Sequence, residues 1–424
     1  MKKNWRNFVL NFKKIVFCFP YRGVGGVSLL FSRIANEISN NYDVSVIDYH
    51  DGFLADNINE NVSLIEYSDH QECKIPDDSI VVFQAMTPWS LFPSLRMNNS
   101  TRLFFWHCHP YNLVPSYPYF DEFFKSNRLL NKLIYRTLLH NYWKKTDKFL
   151  DYLLERNAIA FMDRPNLEMT KYFFQKKSYS DSEYLRIPTC SVTNALPTYK
   201  SGRIRFGWLG RITDFKYSML EHILMTLDLV AKSSNSEIEF MIIGSGSHYE
   251  HIKSCVKNVS NIKVQCIEYI SPLCLDDFII NNIDIMFAMG TSALESAKLK
   301  VPTVLVDFSY KKIPSAYVFE LIFNKSGETL GDDISNARSL NSNECGSYQS
   351  IKKIVEDIEH GHFFEYSNRT IEYFTEFHDI SNIISSFLRM LECSNAKYSD
   401  LYSGKVIFHN GKNIYSAIKN LKRG

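Results

Sequence analysis

The chain has 424 residues, of which 45% are hydrophobic and 22% are charged. These proportions are typical of a soluble globular protein of about two domains, and they exclude a disordered tail, a collagen-like fibre and a disulfide-stapled mini-protein. The 48 basic and 46 acidic residues give a formal net charge of only +2, which disfavours a dedicated nucleic-acid binder.

The nine cysteines are scattered and form no CxxC pair, which favours reduced thiols. No apolar run approaches the ~18 residues that a membrane-spanning helix needs. Lys13 and Lys14 interrupt the apolar stretch that a signal peptide would require. We therefore expect a cytoplasmic protein.

Short β-branched or aromatic runs alternate with longer helical patterns in both halves of the chain, which predicts parallel sheets. In the first half, the expected strands are 14–20, 44–49, 79–84, 102–107 and 159–163. In the second half, they are 204–209, 238–243, 262–267, 283–287 and 303–306. Apolar periodicity predicts helices over 28–40 and 217–231.

Residues 187–202 contain two prolines and many small polar residues, which is typical of a linker. We predict a Rossmann-like acceptor-side domain over 1–190, a linker over 191–203 and a nucleotide-binding Rossmann-like domain over 204–375. Residues 376–424 are expected to form a helical segment and a basic tail that pack back toward the first domain. Ligands of such sheets bind in a cleft beyond the carboxyl ends of the strands.

A glycine-rich stretch, Gly23-Val-Gly25-Gly26-Val-Ser28, follows the first strand and opens a helix. Glycines at such a turn bring backbone amides close to a phosphate. A dinucleotide fingerprint would have glycine in place of Ser28, although Asp48 ends the next strand at the distance of its ribose-binding acid. The stretch indicates either a phosphate-binding loop or a tight turn without a ligand.

A second stretch, GWLGRITDFK, places Gly210, Arg211 and Lys216 between a strand and a helix. A guanidinium fork and a mobile ammonium suit a diphosphate, whereas the alternative is a pair of solvated surface cations. Gly244-Ser-Gly246 repeats the pattern of a strand followed by glycine, but by itself it identifies only a turn.

The segment Met289-Gly290-Thr291-Ser292-Ala-Leu-Glu295 follows another strand and leads into a short helix. We expect Thr291 or Ser292 to be the N-cap, and the free amides there to hold an anion. Glu295 is placed to accept two ribose hydroxyls. The alternative is that it is the glutamate of a capping box with Ser292.

The strand 102–107 ends in Trp106-His107-Cys108-His109. One interpretation is an acceptor-side histidine, with His109 as first choice and His107 as second. A metal site is disfavoured because alternating strand residues point to opposite faces, so Cys108 would not join both histidines. The remaining alternative is one core histidine and one exposed histidine.

Four of these segments resemble GT-B-fold glycosyltransferases of the retaining glycosyltransferase family 4 type, and the similarity covers most of the chain. The segments are the Gly25–Gly26 loop with LLFSRIANEI, GWLGRITDFK, MIIGSGSHYEHIK and MGTSALESAKLKVPTVLVD. The resemblance implies an α/β GT-B fold in which two Rossmann-like parallel-sheet domains face a cleft.

By this resemblance, Arg211 and Lys216 bind the donor diphosphate and act in catalysis, and Glu295 holds the ribose. The catalytic histidine near the transferred sugar is His109 or His107. The other positions expected to bind the donor are Gly25, Gly26, Gly210, Gly244, Gly290, Thr291 and Ser292. The first glutamate of the family's usual pair would fall on Phe287, which leaves the donor sugar open.

The resemblance implies transfer of a sugar from a nucleotide-diphosphate sugar, of UDP or GDP type, to a glycan or lipid-linked acceptor in bacterial surface polysaccharide or lipopolysaccharide synthesis. Retention of configuration and independence of metal and of other cofactors are expected. The alternatives are a nucleotide-sugar epimerase and a decayed binding or scaffold protein. An NAD-dependent oxidoreductase is disfavoured by Ser28.

Both ends of the sequence are basic. Residues 1–36 contain seven Lys or Arg and residues 401–424 contain five, with no Asp or Glu in either stretch. Such stretches are expected either to dock on the anionic inner face of the cytoplasmic membrane as a peripheral contact or to be ordinary solvated surface.

Overall fold

A computed structural model describes residues 12–23, 25–88, 94–117, 120–175, 184–190, 192, 197–334 and 346–403. The chain divides into two compact units. The first comprises Met1–Pro188 and Ile380–Gly424, and the second comprises Thr189–Asp379. The chain thus leaves the first unit once and returns to it, and the segment 189–203 belongs to the second unit. The expected basic termini fall mostly on residues 1–11 and 404–424, outside the described residues.

The first unit contains a six-stranded parallel sheet and a separate pair of short strands. Its strands are β1 (Lys14–Cys18), β2 (Asp43–Asp48), β3 (Val62–Glu66), β4 (Cys73–Lys74), β5 (Ser79–Gln84), β6 (Leu95–Arg96), β7 (Arg102–His107) and β8 (Ile159–Phe161). The order of the large sheet is β3-β2-β1-β5-β7-β8, and β4 pairs with β6. Its helices are α1 (Gly26–Ile38), α2 (Phe53–Asp56), α3 (Asp121–Ser126), α4 (Arg128–Arg136), α5 (His140–Glu155) and α6 (Arg164–Phe173).

The second unit contains a sheet in the order β11-β10-β9-β12-β13-β14, with all neighbours parallel except β14. Its strands are β9 (Arg203–Leu209), β10 (Glu237–Ile243), β11 (Lys263–Ile267), β12 (Ile285–Ala288), β13 (Thr303–Leu305) and β14 (Glu320–Leu321). Its helices are α7 (Tyr217–Ala231), α8 (Tyr249–Val256), α9 (Pro272–Asn282), α10 (Thr291–Ala297), α11 (Ser347–Glu359) and α12 (Phe363–Phe377). Two more helices, α13 (Ile380–Cys393) and α14 (Tyr398–Ser403), complete the first unit.

Strand β1 is apolar on both of its faces because helices cover both sides of the sheet. Ile15 and Phe17 of β1 lie in one buried cluster with side chains of α1 and α13. Val16 and Cys18 lie in a second cluster with side chains of α5 and α14. The alternation of side chains along a strand thus divides the first unit into two hydrophobic layers.

Helix α13 is held in the first unit by aromatic packing and by one cation. The Phe387 ring lies 5.7 Å from the Phe17 ring and 5.8 Å from the Trp106 ring. Arg102 of β7 donates hydrogen bonds to the carbonyls of Leu391 (3.0 Å) and Glu392 (2.9 Å). These carbonyls lie in the last turn of α13, so Arg102 satisfies acceptors that the helix itself leaves unpaired.

The α/β fold class, the ten expected strands and both expected helices are confirmed, with ends that differ by a few residues. Strand β3 was not expected, because Val62 is the one buried residue in its sequence VSLIE. It is added at the sheet edge by pairing with β2, which the local pattern does not encode. Among the described residues, no helix is both long and apolar enough to cross a membrane.

We expect Phe387→Ala to lower the free energy of unfolding of the first unit by about 3–5 kcal/mol, because it removes a buried ring and leaves a cavity. Urea denaturation followed by circular dichroism measures this effect. Phe364→Ala is the matched control, since Phe364 is 59% exposed. Equal denaturation midpoints for the two variants would contradict the packing role of α13.

Candidate active site

Two loops of the second unit meet at one edge of its sheet. Strands β9 and β12 are parallel neighbours, so the loops that follow their carboxyl ends lie side by side. A Cβ atom built on Gly210 would lie 3.6 Å from Lys216 Nζ and 3.8 Å from Ser292 Oγ. The structure therefore brings together three of the residues expected to bind the donor, although Ser292 is distant in sequence from Gly210 and Lys216.

The loop from Gly210 to Lys216 rests on the loop that follows β10. Gly210 N donates to Ile243 O (3.1 Å), and Ile212 N donates to Ser245 O (2.9 Å). Gly244 has φ +141°, and a Cβ atom there would lie 2.1 Å from Gly210 O. Only glycine permits this close approach, so Gly244 supports the cation-bearing loop from behind.

Lys216 and Arg211 supply the positive charge of this edge. Lys216 is partly buried and Arg211 is exposed. Burial first, and the charge of Arg211 second, lower the pKa of Lys216 to about 8. Within the described part of the chain, no carboxylate is among the groups that shift this pKa. Two neighbouring cations with one of them desolvated form a site that a bound anion would stabilise.

The loop after β12 differs from its expected capping pattern. Gly290, with φ +60°, is the N-cap of α10, and no side chain caps this helix. The expectation that Thr291 or Ser292 is the N-cap is therefore wrong, and so is the capping-box interpretation of Glu295. Gly290 N donates to Leu330 O at 2.6 Å, which fixes the turn against the neighbouring loop.

Glu295 forms an ion pair with Lys298. Its Oε2 lies 2.7 Å from Lys298 Nζ, which also lies 3.0 Å from Asp276 Oδ1. Burial lowers the pKa of Lys298, but the two carboxylates raise it more, and the pKa is raised overall. The spacing of three residues on a helix was the available signal for the pair.

Phe287 is part of the hydrophobic core of the second unit. It is completely buried in β12, 5.5 Å from the Phe206 ring and 5.6 Å from the Phe319 ring. A side chain at this position points into the core and not into the loop after the strand. Position 287 therefore differs from the expected glutamate in the direction of its side chain as well as in its residue type.

The two histidines of the first unit have different environments. His107, at the end of β7, is completely buried, and its Nε2 lies 3.5 Å from Thr170 Oγ1. Burial is the main cause that lowers its pKa to about 3, so it is neutral. His109 is exposed, and its Nδ1 accepts a hydrogen bond from Tyr111 N at 3.2 Å. The Nε2 of a neutral His109 therefore carries the proton.

His109 lines a cavity of about 160 Å³ together with residues of α3 and α4. Partial removal of the ring from water, as the main cause, and the Lys125 charge, as the second, lower the pKa of His109 below its ordinary value. A neutral imidazole with its Nε2–H available can donate a hydrogen bond to a hydroxyl or a ring oxygen.

The Gly25–Gly26 turn has a structural environment that disfavours dinucleotide binding. Gly25 is the N-cap of α1, which begins at Gly26, and Val24 lies outside the described residues. The Asp48 carboxylate is buried and accepts hydrogen bonds from the backbone N–H groups of four residues, Tyr21, Tyr49, Leu54 and Ala55. These four N–H groups use the hydrogen-bonding capacity of the Asp48 carboxylate, and the alternative in which it binds a ribose is wrong.

One cluster of possible metal ligands lies elsewhere in the second unit, on α7 and α8. His251 Nε2 is 3.5 Å from Glu221 Oε2, and Cys255 Sγ is 3.6 Å from His251 Nε2 and 3.8 Å from Glu221 Oε1. Ligand atoms around tetrahedral zinc are about 3.4–3.6 Å apart. Hydrogen bonds among the three groups account for the same distances, so the cluster is first of all a contact between two helices.

The fold is similar to that of several known structures, although no protein-family model and no curated protein matches the sequence. The Anabaena protein HepE in complex with UDP-glucose is 11% identical, with a TM-score of 0.52 over 89% of this chain and 99% of that one. TarM is 12% identical, with a TM-score of 0.53 over 89% of this chain and 98% of that one. The N-terminal domain of Candida albicans trehalose-6-phosphate phosphatase is 11% identical, with a TM-score of 0.52 over 92% of this chain and 98% of that one. The chain therefore has the GT-B fold that the sequence predicts.

We expect Gly244→Ala to abolish pyrophosphate binding at the loop edge, because its Cβ would overlap the Gly210 carbonyl and displace the loop that carries Arg211 and Lys216. Isothermal titration with inorganic pyrophosphate measures the binding. Gly202→Ala is the matched control, since Gly202 also has a positive φ (+87°) but no atom lies within 4 Å of a Cβ there. Both variants contain backbone strain of about 1 kcal/mol, so equal loss of binding in both would contradict the supporting role of Gly244.

Proposed function

We propose that this GT-B protein is a glycosyltransferase that moves a sugar from a nucleoside-diphosphate sugar to a glycan or lipid-linked acceptor of a bacterial surface polysaccharide. The observation that carries the proposal is the convergence of Gly210, Lys216 and Ser292 at one sheet edge, with Arg211 beside Lys216. HepE, which has a similar fold, was crystallised with UDP-glucose, and this supports a nucleoside diphosphate of UDP type as the leaving group.

The two cations of the site would act mainly on the leaving diphosphate. As the bond between the sugar C1 and the diphosphate oxygen breaks, negative charge accumulates on that oxygen. Arg211 supplies a bidentate fork and Lys216 a partly desolvated point charge, and such preorganised charges stabilise a transition state more than a ground state. These residues would do the work of a divalent metal. We therefore propose a reaction without metal or other cofactor and, by the resemblance of the motifs, with retention of configuration.

The ribose of the donor would be held by Glu295. Its carboxylate pairs with Lys298, which fixes its position on α10. A carboxylate has several lone pairs, so it can accept hydrogen bonds from two adjacent hydroxyls while one oxygen remains paired. We propose that Lys298 is a positioning residue for Glu295.

On the acceptor side, His109 is a better candidate than His107. His109 is exposed, borders a cavity and has its Nε2–H available, whereas His107 is completely buried and packs 5.3 Å from the Phe161 ring. We propose that His109 donates a hydrogen bond to the acceptor or to the transferred sugar, and that His107 is a core residue.

The first test measures thermal stabilisation of the purified protein by UDP-, GDP-, ADP- and CMP-sugars and by NAD. We expect one nucleotide family to stabilise the protein through binding to the native state. In Arg211→Ala/Lys216→Ala the affinity should fall at least about 100-fold, since the variant loses two charge-assisted hydrogen bonds that contribute about 1.5–3 kcal/mol each.

The matched control for this test is Lys232→Ala/Lys257→Ala, which removes the same charge from two exposed positions of the same unit. It should bind the nucleotide as the wild type does. Equal affinities for the two double variants, or stabilisation by NAD alone, would contradict the proposal. Release of an epimerised free sugar without any acceptor would replace it with the epimerase alternative.

The affinity for the nucleoside diphosphate should depend on pH through Lys216. Because its pKa is about 8 in the ligand-free protein, Lys216 is protonated below pH 8 and loses its charge as the pH rises through that value. We expect the Kd to be constant from pH 7 to about 7.5 and then to rise up to tenfold per pH unit. Titration calorimetry from pH 7 to 9.5 measures this effect.

The control for the pH dependence is Lys216→Arg, whose guanidinium remains protonated throughout this range. Its Kd should change little between pH 7 and 9.5, even if its absolute affinity differs. A wild-type Kd that is independent of pH, or the same rise in the arginine variant, would show that Lys216 is not the titrating group.

A further inference from the structure

Three side chains with metal-binding atoms meet between helices α7 and α8 of the second unit. They are Glu221 of α7 and His251 and Cys255 of α8, and their ligand atoms all lie within 4.8 Å of one another. Within the ranges that the structure describes, no other three His, Cys, Asp or Glu side chains come this close together. The trio combines a carboxylate, an imidazole and a thiol, which are the three kinds of ligand that zinc accepts.

The regular spacing of the two helices brings these side chains together. His251 and Cys255 are four residues apart in α8, so they lie on one face of it. Tyr217 and Glu221 have the same spacing in α7. The Tyr217 ring stacks on the His248 ring at 4.3 Å and meets the His251 ring edge-on at 5.4 Å. Tyr217 thus holds the His251 ring beside Glu221, and a ring that is already held loses little freedom when it binds a ligand.

The distances between the three groups are those of a zinc site. His251 Nε2 lies 3.5 Å from Glu221 Oε2, and Cys255 Sγ lies 3.6 Å from His251 Nε2 and 3.8 Å from Glu221 Oε1. Neighbouring ligand atoms of a tetrahedral zinc ion are about 3.4–3.6 Å apart, since the bonds to zinc are about 2.0–2.3 Å long. Small movements of the Glu221 and His251 side chains therefore suffice to place all three groups around one ion.

Hydrogen bonds explain each of these distances separately, but they cannot satisfy all three together. With Glu221 ionised, at most two protons lie among the three groups, one on the Cys255 thiol and one on His251 Nε2. Two protons cannot make three hydrogen bonds, and the N···O distance of 3.5 Å is long for such a bond. A divalent cation satisfies all three groups at once, because each of them then supplies a lone pair.

Burial and charge favour zinc over the harder divalent ions. Cys255 is buried, whereas the side chains of Glu221 and His251 are 40% and 47% exposed, so an ion can enter from the solvent side. Burial first, and the Glu221 charge second, raise the pKa of the Cys255 thiol. A doubly charged ion that accepts sulfur offsets both effects, whereas Mg²⁺ and Ca²⁺ prefer oxygen ligands.

We propose that Glu221, His251 and Cys255 bind one Zn²⁺ ion, with a water molecule in the fourth position, and that this ion fastens α7 to α8. On binding, the S–H bond of Cys255 breaks, its electron pair forms the Zn–S bond and the proton passes to the solvent. His251 binds through the lone pair of Nε2 and carries its proton on Nδ1, and one carboxylate oxygen of Glu221 is the third ligand. No atom is oxidised or reduced.

The zinc ion would act on the fold and not on the substrate. Helix α7 begins directly after Lys216, and α8 begins shortly after residues 244–246. His248 N donates to Ile212 O at 3.1 Å, and Ile212 N donates to Ser245 O at 2.9 Å. An ion that fastens the two helices would therefore steady the two loops that precede them. None of the three ligands is among the residues proposed to bind the donor, so the zinc site does not rest on the proposed function.

The first test is titration of the reduced, metal-free full chain with Co²⁺, which is a spectroscopic substitute for Zn²⁺. We expect one ion per chain, a near-ultraviolet charge-transfer band from the thiolate–cobalt bond, and displacement of the cobalt by Zn²⁺. Cys255→Ser should abolish the charge-transfer band. The matched control is Cys274→Ser, which removes an exposed thiol of the same unit and should leave the spectrum unchanged.

The second test measures the Zn²⁺ affinity by competition with a chromophoric chelator. His251→Ala should lower the affinity at least about 100-fold, because loss of a ligand's hydrogen-bond partner alone costs about 10- to 100-fold. The matched control is His360→Ala, which removes another exposed imidazole of the same unit. Zn²⁺ should also raise the melting temperature of the wild type and of this control, but not that of His251→Ala. Since His251 is exposed, this variant decides the question even where Cys255→Ser does not fold.

No binding of Zn²⁺ or Co²⁺ by the folded chain, or a cobalt spectrum without the thiolate band, would overturn the proposal. Equal zinc affinities in His251→Ala and His360→Ala would also overturn it and leave the trio as a contact between two helices. Thermal stabilisation by the nucleotide is measured on the same variants and should be retained. Zinc binding without nucleotide binding would support the zinc site and contradict the proposed transferase, so the two failures are distinguishable.

Discussion

The candidate site of the second unit depends on the close approach of two backbone segments. The carbonyl of Gly210 accepts a hydrogen bond from the Trp208 indole at 3.3 Å and lies against Gly244, where a Cβ would come within 2.1 Å. Because the loop after β9 is fixed in this way, Lys216 Nζ of this loop and Ser292 Oγ of the loop after β12 both lie within 4 Å of a Cβ built on Gly210. A side chain at position 244 would move the whole cation-bearing loop, whatever its chemistry.

This arrangement disfavours the charged form of Lys216. Its ammonium is partly removed from water and lies near a second cation, so its pKa falls to about 8. Such a group is poorly satisfied without an anion and well satisfied with one, which is the property expected of a site built for a phosphate.

Residue type and spacing were sufficient to predict the parallel sheets, the two-unit organisation of α/β type and the position of the cation-bearing loop. Apolar runs fix buried strands, and glycines at strand ends fix turns. The interpretation of single side chains was less successful. Asp48 had the spacing of a ribose-binding acid, but four backbone N–H groups occupy it. Thr291 and Ser292 had the chemistry of N-caps, but Gly290 takes that position through its positive φ.

The sequence by itself determined the fold class, because hydrophobic periodicity and turn residues act locally and survive as a pattern. It also determined which cations and histidines were candidates. Only the tertiary structure decided that Lys216 lies near Ser292, that Phe287 belongs to the core and that His107 is buried while His109 is exposed. These facts depend on contacts between residues far apart in the chain, and burial, pKa and orientation are properties of such contacts and not of residue order.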